Sequence, residues 1–299
     1  MPVYDVRVEI SYDYTAPARS SRTLLRLLPR WTAGQDVLNG HVAADPPPGT
    51  QAQATDFFGN LLTEMVHDQP LDQITFRFGG RVRRSSEATG LDLSTELDAL
   101  AGDIAAVAAL GPDAPHHFTA PSRRAMPDPA ITAFVKDAIG GQSSTLGVVR
   151  AAAAAIHATM AFDPTATDVT TEPATAFAAR SGVCQDFSHI LIAGLRAIGV
   201  PAGYVSGFLR TLPPPGQKRL DGADAMHAWV RAWCGLRAGW IEIDPTNAVA
   251  AGADHITVAY GRDYADVAPV KGILRSAGAH TTDQAVDVIE VPSATGVAP

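Results

Sequence analysis

The chain opens with a regular alternation of apolar and polar residues. From Tyr4 to Tyr14 every second residue is apolar, and the residues between them are charged or polar. A period of two predicts a β-strand with one buried face. Short apolar runs separated by Pro and Gly predict four more strands, near residues 21–28, 36–43, 57–66 and 73–83. Several short strands of this kind are typical of a small β-sandwich.

Helical periodicity begins after residue 90. The pattern predicts helices over residues 94–110, 130–139 and 145–160, the last with Ser143 or Ser144 as its N-cap. Between the first two, residues 111–129 indicate a connecting segment. Later strands are predicted at 202–209, 256–260 and 285–291 and around His227 and Asp244. The order of elements is therefore β first, and mixed α and β afterwards.

A cysteine stands at the start of one further predicted helix. Apolar residues recur at three- and four-residue steps from Phe187 to Ile198, and Gly199 with Pro201 ends the run. The preceding turn, SGVCQDF at 181–187, puts Cys184 at or near the helix N-terminus. Unpaired backbone N–H groups there favour the thiolate over the thiol. Cys184 is therefore a candidate nucleophile.

A nucleophile needs a base, and the base needs a group that orients it. The segments 226–230 and 240–247 are short and rich in β-branched and aromatic residues, and Gly lies near both ends of their connection. This predicts a β-hairpin. With the turn centred between Gly235 and Leu236, His227 pairs directly with Asp244 on one face of the sheet. A slip of one residue would separate the two side chains.

Each of these residues also has an ordinary structural interpretation. A cysteine at a helix start is mostly inert, a histidine on a strand is mostly a polar or core residue, and Asp before Pro mostly forms a turn. Their combination is what favours chemistry. Cys234, in the predicted turn, is interpreted as structural, and so is Asp186 as a complement to the helix dipole. His189 lies on another face of the Cys184 helix and is interpreted as a packing or surface residue.

Trp229 shares a strand face with His227 and has two interpretations. It packs in the core, or it forms a wall that keeps water from the His–Asp pair. Arg231 is predicted to stack on Trp240 as a cation–π pair.

Three motifs in order resemble those of the transglutaminase-like superfamily, a circularly rearranged relative of papain-like cysteine proteases. They are GVCQD at a helix start, HAWV on a strand and GW-x-x-x-DPTN on the next strand. The similarity covers residues 145–275 well and includes the runs 254–258 and 261–269. It extends more loosely to the N-terminal β region and to the turn at 56–60.

The resemblance implies an α+β protein in four parts. These are an N-terminal β-sandwich-like domain (1–90), a helical or linking segment (91–130), a papain-like catalytic domain (131–292) and a flexible tail (293–299). In the catalytic domain, a Cys-bearing helix is expected to pack on an antiparallel sheet.

The resemblance also implies roles for three residues. Cys184 looks like the nucleophile, His227 like the general base and acid, and Asp244 like the carboxylate that holds the imidazole. It implies a thiol enzyme that acts on amide bonds of a peptide or protein through a thioester. Hydrolysis of a peptide or isopeptide bond is the first expectation, and acyl transfer to an amine is the second. A binding or scaffold module with an idle triad is the third.

The resemblance further implies an oxyanion hole for the intermediates. The backbone N–H of Cys184 is its expected first donor. The sequence supplies no matching second donor at 161–164.

Charge and cysteine content limit the partners and the cellular compartment that we expect for this protein. The 299-residue chain carries a formal net charge of -8, which argues against a nucleic-acid or anionic-lipid partner. Two cysteines cannot form a disulfide framework, and a reactive thiol persists best in a reducing compartment. The chain start shows no secretory signal, and no apolar run is long enough to span a membrane. We therefore expect a cytoplasmic protein without metal or cofactor.

Overall fold

An antiparallel sheet occupies the first part of the fold. The computed structural model describes residues 1–85, 90–212, 219–220, 222 and 224–292. Strand β1 (Val3–Leu25) is one long strand where the sequence predicts two, and its alternating residues Tyr4, Val6 and Val8 are buried as predicted. The next four strands are β2 (Gln35–Asp45), β3 (Thr50–Thr55), β4 (Leu61–His67) and β5 (Leu71–Arg84).

Strand β1 changes partners along its length. Its first half lies between β5 and β14 (His280–Glu290), and its second half lies between β4 and β13 (Val270–Arg275). The change falls between Asp13 and Arg22, where the register shifts and Ser20 adopts a φ of 53°. The predicted N-terminal β region is thus confirmed, and it takes two strands from late in the chain.

The helices follow the predictions with one correction. The helices of the described residues are α1 (Leu100–Ala106), α2 (Pro129–Ala138), α3 (Thr145–Thr159), α4 (Pro173–Ala179), α5 (Cys184–Ala197) and α6 (Tyr264–Val267), with a 3-10 turn at Pro115–Phe118. The prediction of a helix over 94–110 is wrong for most of its length. The backbone of Thr95 instead bonds to Cys234 and Thr145, which holds the segment extended. The Ser144 hydroxyl caps α3 by accepting the N–H of Gly147.

A second antiparallel sheet carries the C-terminal half. Its strands are β8 (Ala202–Leu209), β9 (Ala225–Trp233), β10 (Trp240–Asp244), β11 (Val249–Ala250) and β12 (His255–Gly261), in the order β11-β10-β9-β8-β12. Helix α5 packs on β8 and β9 through its predicted apolar stripe, of which Phe187, Ile190 and Leu191 are buried. This confirms the α+β fold class, with a Cys-bearing helix on an antiparallel sheet.

A short parallel pair lies beside the N-terminus of α5. Its strands are β6 (Ala161–Phe162) and β7 (Ser181–Gly182). This pair ties the segment before the cysteine to the end of α3. None of the helices in the described residues is long and apolar enough to cross a membrane.

Side-chain amides from the N-terminal β region, one on β2 and one in the turn before β4, close the outer edge of β12. Gln35 donates Nε2 to the carbonyl of Thr257 (2.7 Å) and accepts its N–H at Oε1 (2.9 Å). Asn60 does the same at Tyr260, with distances of 2.7 and 2.8 Å. Each carboxamide supplies the donor and acceptor that a neighbouring strand would offer, so the strand edge is satisfied.

The predicted boundaries between the four segments stay a prediction. Late strands β13 and β14 pair with β1, and residues of the first 90 bond to β12, so the two sheets share one packed structure. The predicted flexible tail, 293–299, lies outside the described residues.

Replacing Gln35 by Ala tests the edge closure. We expect the free energy of unfolding to fall by about 1–3 kcal/mol, because the buried N–H of Thr257 loses its acceptor and its C=O keeps only the N–H of Arg30 at 3.2 Å. The matched control is Gln51→Ala on exposed β3, where one 3.3 Å bond is lost and the change should stay within about 0.5 kcal/mol. Urea denaturation measures both. Equal effects of the two substitutions would contradict the edge closure.

A glycine on α5 sets how closely α2 approaches. A Cβ at Gly194 would lie 2.4 Å from Cγ2 of Val135, whereas a Cβ at Gly102 of α1 would meet nothing within 4 Å. We expect Gly194→Ala to destabilise the protein by about 1–3 kcal/mol through overpacking. Gly102→Ala should be neutral or stabilising by up to about 1 kcal/mol, because Ala favours helix more than Gly. Thermal unfolding of both variants checks the sign of each effect.

Candidate active site

The turn before α5 explains why the helix begins at Cys184. The carboxylate of Asp186 accepts the N–H of Val183 (2.8 Å) and the hydroxyl of Thr167 (2.6 Å). A Cβ at Gly182 would lie 2.5 Å from that carboxylate, so only glycine fits there. The motif therefore encodes a carboxylate-capped helix start with Cys184 as its first residue.

Cys184 is half-buried, and its backbone N–H belongs to the first turn of α5, where N–H groups lack intrahelical acceptors. The N–H groups of Asp186 and Phe187 both bond to the carbonyl of Val183. Those of Cys184 and Gln185 come before the first turn closes and have no intrahelical acceptor. The structural interpretation of Asp186 is confirmed by its capping bonds. Burial raises the pKa of its carboxyl, against the lowering effect of the Thr167 hydrogen bond.

The hairpin that carries the histidine and the aspartate forms with a different register from the predicted one. Glu242 lies opposite Arg231 and Ile243 opposite Val230, which shifts the predicted pairing by two residues. An even shift keeps every side chain on its predicted face. His227 and Asp244 are therefore diagonal neighbours, and Nε2 of the imidazole lies 2.8 Å from Oδ2 of the carboxylate.

Asp244 is a fully buried carboxylate that accepts five hydrogen bonds. Its Oδ1 accepts the backbone N–H groups of Thr246 (2.9 Å) and Asn247 (3.2 Å), which is the turn-forming role of Asp before Pro. Its Oδ2 accepts from Nε2 of His227, Nε2 of His255 and Nδ2 of Asn247. Burial opposes ionisation, but these hydrogen bonds outweigh it and hold the pKa of Asp244 well below its usual range.

His227 links this carboxylate to the thiol. Because Nε2 is committed to Asp244, Nδ1 is the ring nitrogen left for the thiol of Cys184, which is close enough to shift the pKa of the imidazole. Burial lowers the pKa of His227, whereas the hydrogen bonds to Asp244 and Cys184 raise it, and the balance brings it to about 10. The structure thus brings together the three residues that the sequence singled out.

A second histidine on Asp244 was missed by the sequence reasoning. His255 begins β12, with Nε2 3.2 Å from Oδ2 of Asp244 and Nδ1 3.2 Å from the backbone nitrogen of Gly252. Since the N–H of Gly252 can only donate, Nδ1 of His255 is unprotonated and Nε2–H is the donor to Asp244. The run at 254–258 lay within the family resemblance, but nothing local in it shows which strand His255 meets.

These three residues do not fit a metal ion, although their ligand atoms lie close together. The nitrogen and oxygen atoms of His227, Asp244 and His255 all lie within 4.8 Å of one another. A metal on Nε2 of His255 would need a lone pair there, and its Nδ1 would then have to donate. The N–H of Gly252 faces Nδ1 and opposes that tautomer.

Trp229 is a core residue, which is the first of its two sequence interpretations. It is fully buried beside Val205 and Tyr260, and its ring stacks on His227 with centroids 6.1 Å apart. Its Nε1 donates to Oε2 of Glu242 at 2.6 Å, while the Tyr260 hydroxyl donates to Oε1 at 2.5 Å. The ring is thus fixed against one face of the imidazole, and its interpretation as a wall against water stays a prediction.

Three other residues that the sequence singled out lie away from this chemistry. Cys234 is fully buried, and burial raises the pKa of its thiol to about 12, which agrees with a structural role. His189 is a packing residue whose Nε2 accepts the N–H of Tyr264, and burial lowers its pKa to about 3. The predicted cation–π contact is present, with the guanidinium of Arg231 4.4 Å from the Trp240 ring centroid.

Comparisons with known proteins agree with this architecture. The family described as "Transglutaminase-like superfamily" matches residues 132–245, and "Bacterial transglutaminase-like N-terminal region" matches residues 4–83. An uncharacterized protein of Mycobacterium tuberculosis is 32% identical over 291 residues, which cover 96% of this chain and 92% of that protein. A protein-glutamine gamma-glutamyltransferase of Pseudomonas aeruginosa is 39% identical over 75 residues, or 25% of this chain and 11% of that protein.

Among solved structures, the fold is similar to one described as "a Putative Cysteine Protease from Cytophaga hutchinsonii". The TM-score is 0.74 at 20% sequence identity, and the match covers 98% of this chain and 91% of that one. Both halves of the chain are matched, and a relative of similar length shares a third of its residues. The chain belongs to the transglutaminase-like superfamily.

Proposed function

We propose that the protein is a thiol enzyme that acts on amide bonds of peptides or proteins through Cys184, His227 and Asp244, with hydrolysis as its main reaction. One observation carries the proposal: the imidazole of His227 lies between a buried carboxylate and the thiol at a helix start. With the carboxylate at one ring nitrogen and the thiol at the other, a proton can pass from the sulfur to the imidazole while the carboxylate stabilises the resulting cation.

The reaction follows from this arrangement of thiol, imidazole and carboxylate. The sulfur of Cys184 attacks the carbonyl carbon as a thiolate, while His227 holds the proton as imidazolium. Collapse of the tetrahedral intermediate breaks the C–N bond, and the imidazolium gives its proton to the leaving amine. Water then attacks the thioester and His227 takes a proton from it. The C–S bond breaks, and the acid leaves with the thiolate–imidazolium pair restored.

The helix start supports the charged intermediates. The N–H of Cys184 has no intrahelical acceptor and lies next to the carbon that the sulfur attacks, so it serves as the first oxyanion donor. Each donor of this kind is worth about 10²–10³ in rate. Asp244 remains an anion throughout and stabilises the imidazolium form of His227.

Two outcomes compete for the thioester. Cys184 is half-buried rather than enclosed, so water can reach its acyl group, which favours hydrolysis. Similarity to the Pseudomonas gamma-glutamyltransferase supports acyl transfer to an amine as the second candidate. Neither outcome needs a cofactor in this scheme, and a cytoplasmic location stays a prediction from sequence.

Substitution of the three residues tests the proposal. Turnover of dimethylated casein should fall by at least about 10²-fold in each of Cys184→Ala, His227→Ala and Asp244→Asn. These substitutions remove the nucleophile, the general base and the carboxylate that orients the base. New N-termini report peptide hydrolysis, ammonia release reports attack on glutamine side chains, and uptake of a fluorescent primary amine reports transfer.

Thiol alkylation separates an enzyme from an idle scaffold. Iodoacetamide should label the wild-type protein and the Cys234→Ala control at Cys184, and should label His227→Ala more slowly. Mass spectrometry of tryptic peptides locates the label. Full reactivity in His227→Ala, or casein turnover in Cys184→Ala, would rule out the proposed triad.

The alkaline limit of activity follows from His227. With its pKa raised to about 10, the imidazolium is populated below that pH and is lost above it. Proton transfer to the leaving amine needs the imidazolium, so kcat/KM should hold through neutral pH and fall near pH 10. Asp244→Asn should move the fall to lower pH, because it removes the charge that supports the cation. An unchanged limit in that variant would contradict the assignment.

A further inference from the structure

Two histidines bond to the same oxygen of Asp244, and only one of them contacts the cysteine. We propose that His255 is a positioning residue, a hydrogen-bond donor that fixes the carboxylate of Asp244 in the orientation that His227 requires. This inference rests on the proposed function of Cys184, His227 and Asp244.

The hydrogen bonds distinguish the two rings. His227 has Asp244 on Nε2 and the thiol on Nδ1, and both of these partners favour its cationic form. His255 has Asp244 on Nε2 but a backbone N–H, that of Gly252, on Nδ1. The N–H of Gly252 can only donate, so Nδ1 of His255 accepts and Nε2 carries the proton that bonds to Asp244.

A neutral donor suits this position better than a second cation. A cationic His255 would share the charge of Asp244 and weaken its hold on His227. A neutral Nε2–H satisfies a lone pair of Oδ2 and leaves the negative charge for the imidazolium of His227. Together with Nδ2 of Asn247 at 2.7 Å, it fills the donor sites around that oxygen and prevents rotation of the carboxylate.

The ring of His255 is itself held from several sides. Trp229 meets it edge-on, with centroids 5.1 Å apart and an interplanar angle of 79°. Its backbone N–H bonds to the carbonyl of Gly252. Two residues further along β12, the side-chain amide of Gln35 forms hydrogen bonds with the backbone N–H and C=O of Thr257. The first sheet therefore supports the position of His255, and through it that of Asp244.

A pair of substitutions separates donation from space filling. His255→Phe keeps an aromatic ring but cannot donate, whereas the side-chain amide of His255→Gln can place an N–H near the same point. The control is His67→Phe, which alters another buried histidine that bonds to a backbone carbonyl in the first sheet.

Three readouts are needed. We expect His255→Phe to lower kcat on dimethylated casein by at least about 10-fold with little change in KM, because positioning acts in the transition state. The alkaline limit of its pH profile should move to lower pH, as in Asp244→Asn but less far, because a carboxylate that is no longer held in place supports the imidazolium of His227 less well. His255→Gln should recover most of kcat and of the pH profile, and His67→Phe should change neither. Nitrogen NMR at pH 7 should show wild-type His255 protonated at Nε2 alone.

The outcomes separate the two proposals. Equal losses in the Phe and Gln variants, or a doubly protonated His255, would overturn the positioning role even with an active wild-type enzyme. If the wild-type protein does not turn over casein, the rate of Cys184 alkylation by iodoacetamide, measured as a function of pH, replaces kcat as the readout. We then expect wild type, His67→Phe and His255→Gln to react faster than His255→Phe. An unreactive Cys184 in the wild type would reject the proposed function, whereas the NMR tautomer would still test the positioning role.

Discussion

The candidate site depends on one buried carboxylate, that of Asp244. A carboxylate without water is costly unless hydrogen bonds replace its solvation, and Asp244 obtains five of them. These donors come from its own turn, from β9 and from β12, so the charge can be buried only when those three elements are in place. The same carboxylate that orders the fold also raises the proton affinity of His227. Stability and the proposed chemistry therefore share one residue.

The first sheet has a physical role in this arrangement. Strand β12 would be an open edge, yet it carries a residue that must not move relative to Asp244. Gln35 and Asn60 close that edge by bonding to the backbone, which leaves the side chains of β12 free for the site. Asn60 is itself oriented by Asp56, at the turn that the sequence resemblance reached only loosely. The N-terminal part thus acts on the site through backbone geometry.

Much of the fold and of the candidate site could be predicted from local pattern. The alternation in β1 and the apolar stripe of α5 each report burial on one face, and burial is what the sequence encodes most directly. The helix start at Cys184 was predictable because Gly182 and Asp186 act within one turn. The relation of His227 to Asp244 was also predictable, because the period of a strand is two and the error in register was even.

Other features could not be predicted because they depend on distant strands. At the closest register positions, Leu25 with Val270 and Tyr14 with His280, the partners of β1 are 245 and 266 residues away, and no local signal specifies them. His255 meets Asp244 only after β11 and its turn bring β12 across the sheet. The helix expected at 94–110 failed for a similar reason, because long-range backbone bonds at Thr95 competed with its helical propensity.

Strand β10 shows how two carboxylates on one face acquire different roles. Asp244 accepts from His227 and remains ionised as its electrostatic partner. Glu242 accepts from two neutral donors, Trp229 and Tyr260, and burial together with that charge raises the pKa of the Tyr260 hydroxyl. One carboxylate therefore supports the imidazolium form of His227, and the other fixes the aromatic ring that packs against that imidazole. The difference comes from the partners that the neighbouring strands present to each, since both carboxylates belong to the same strand.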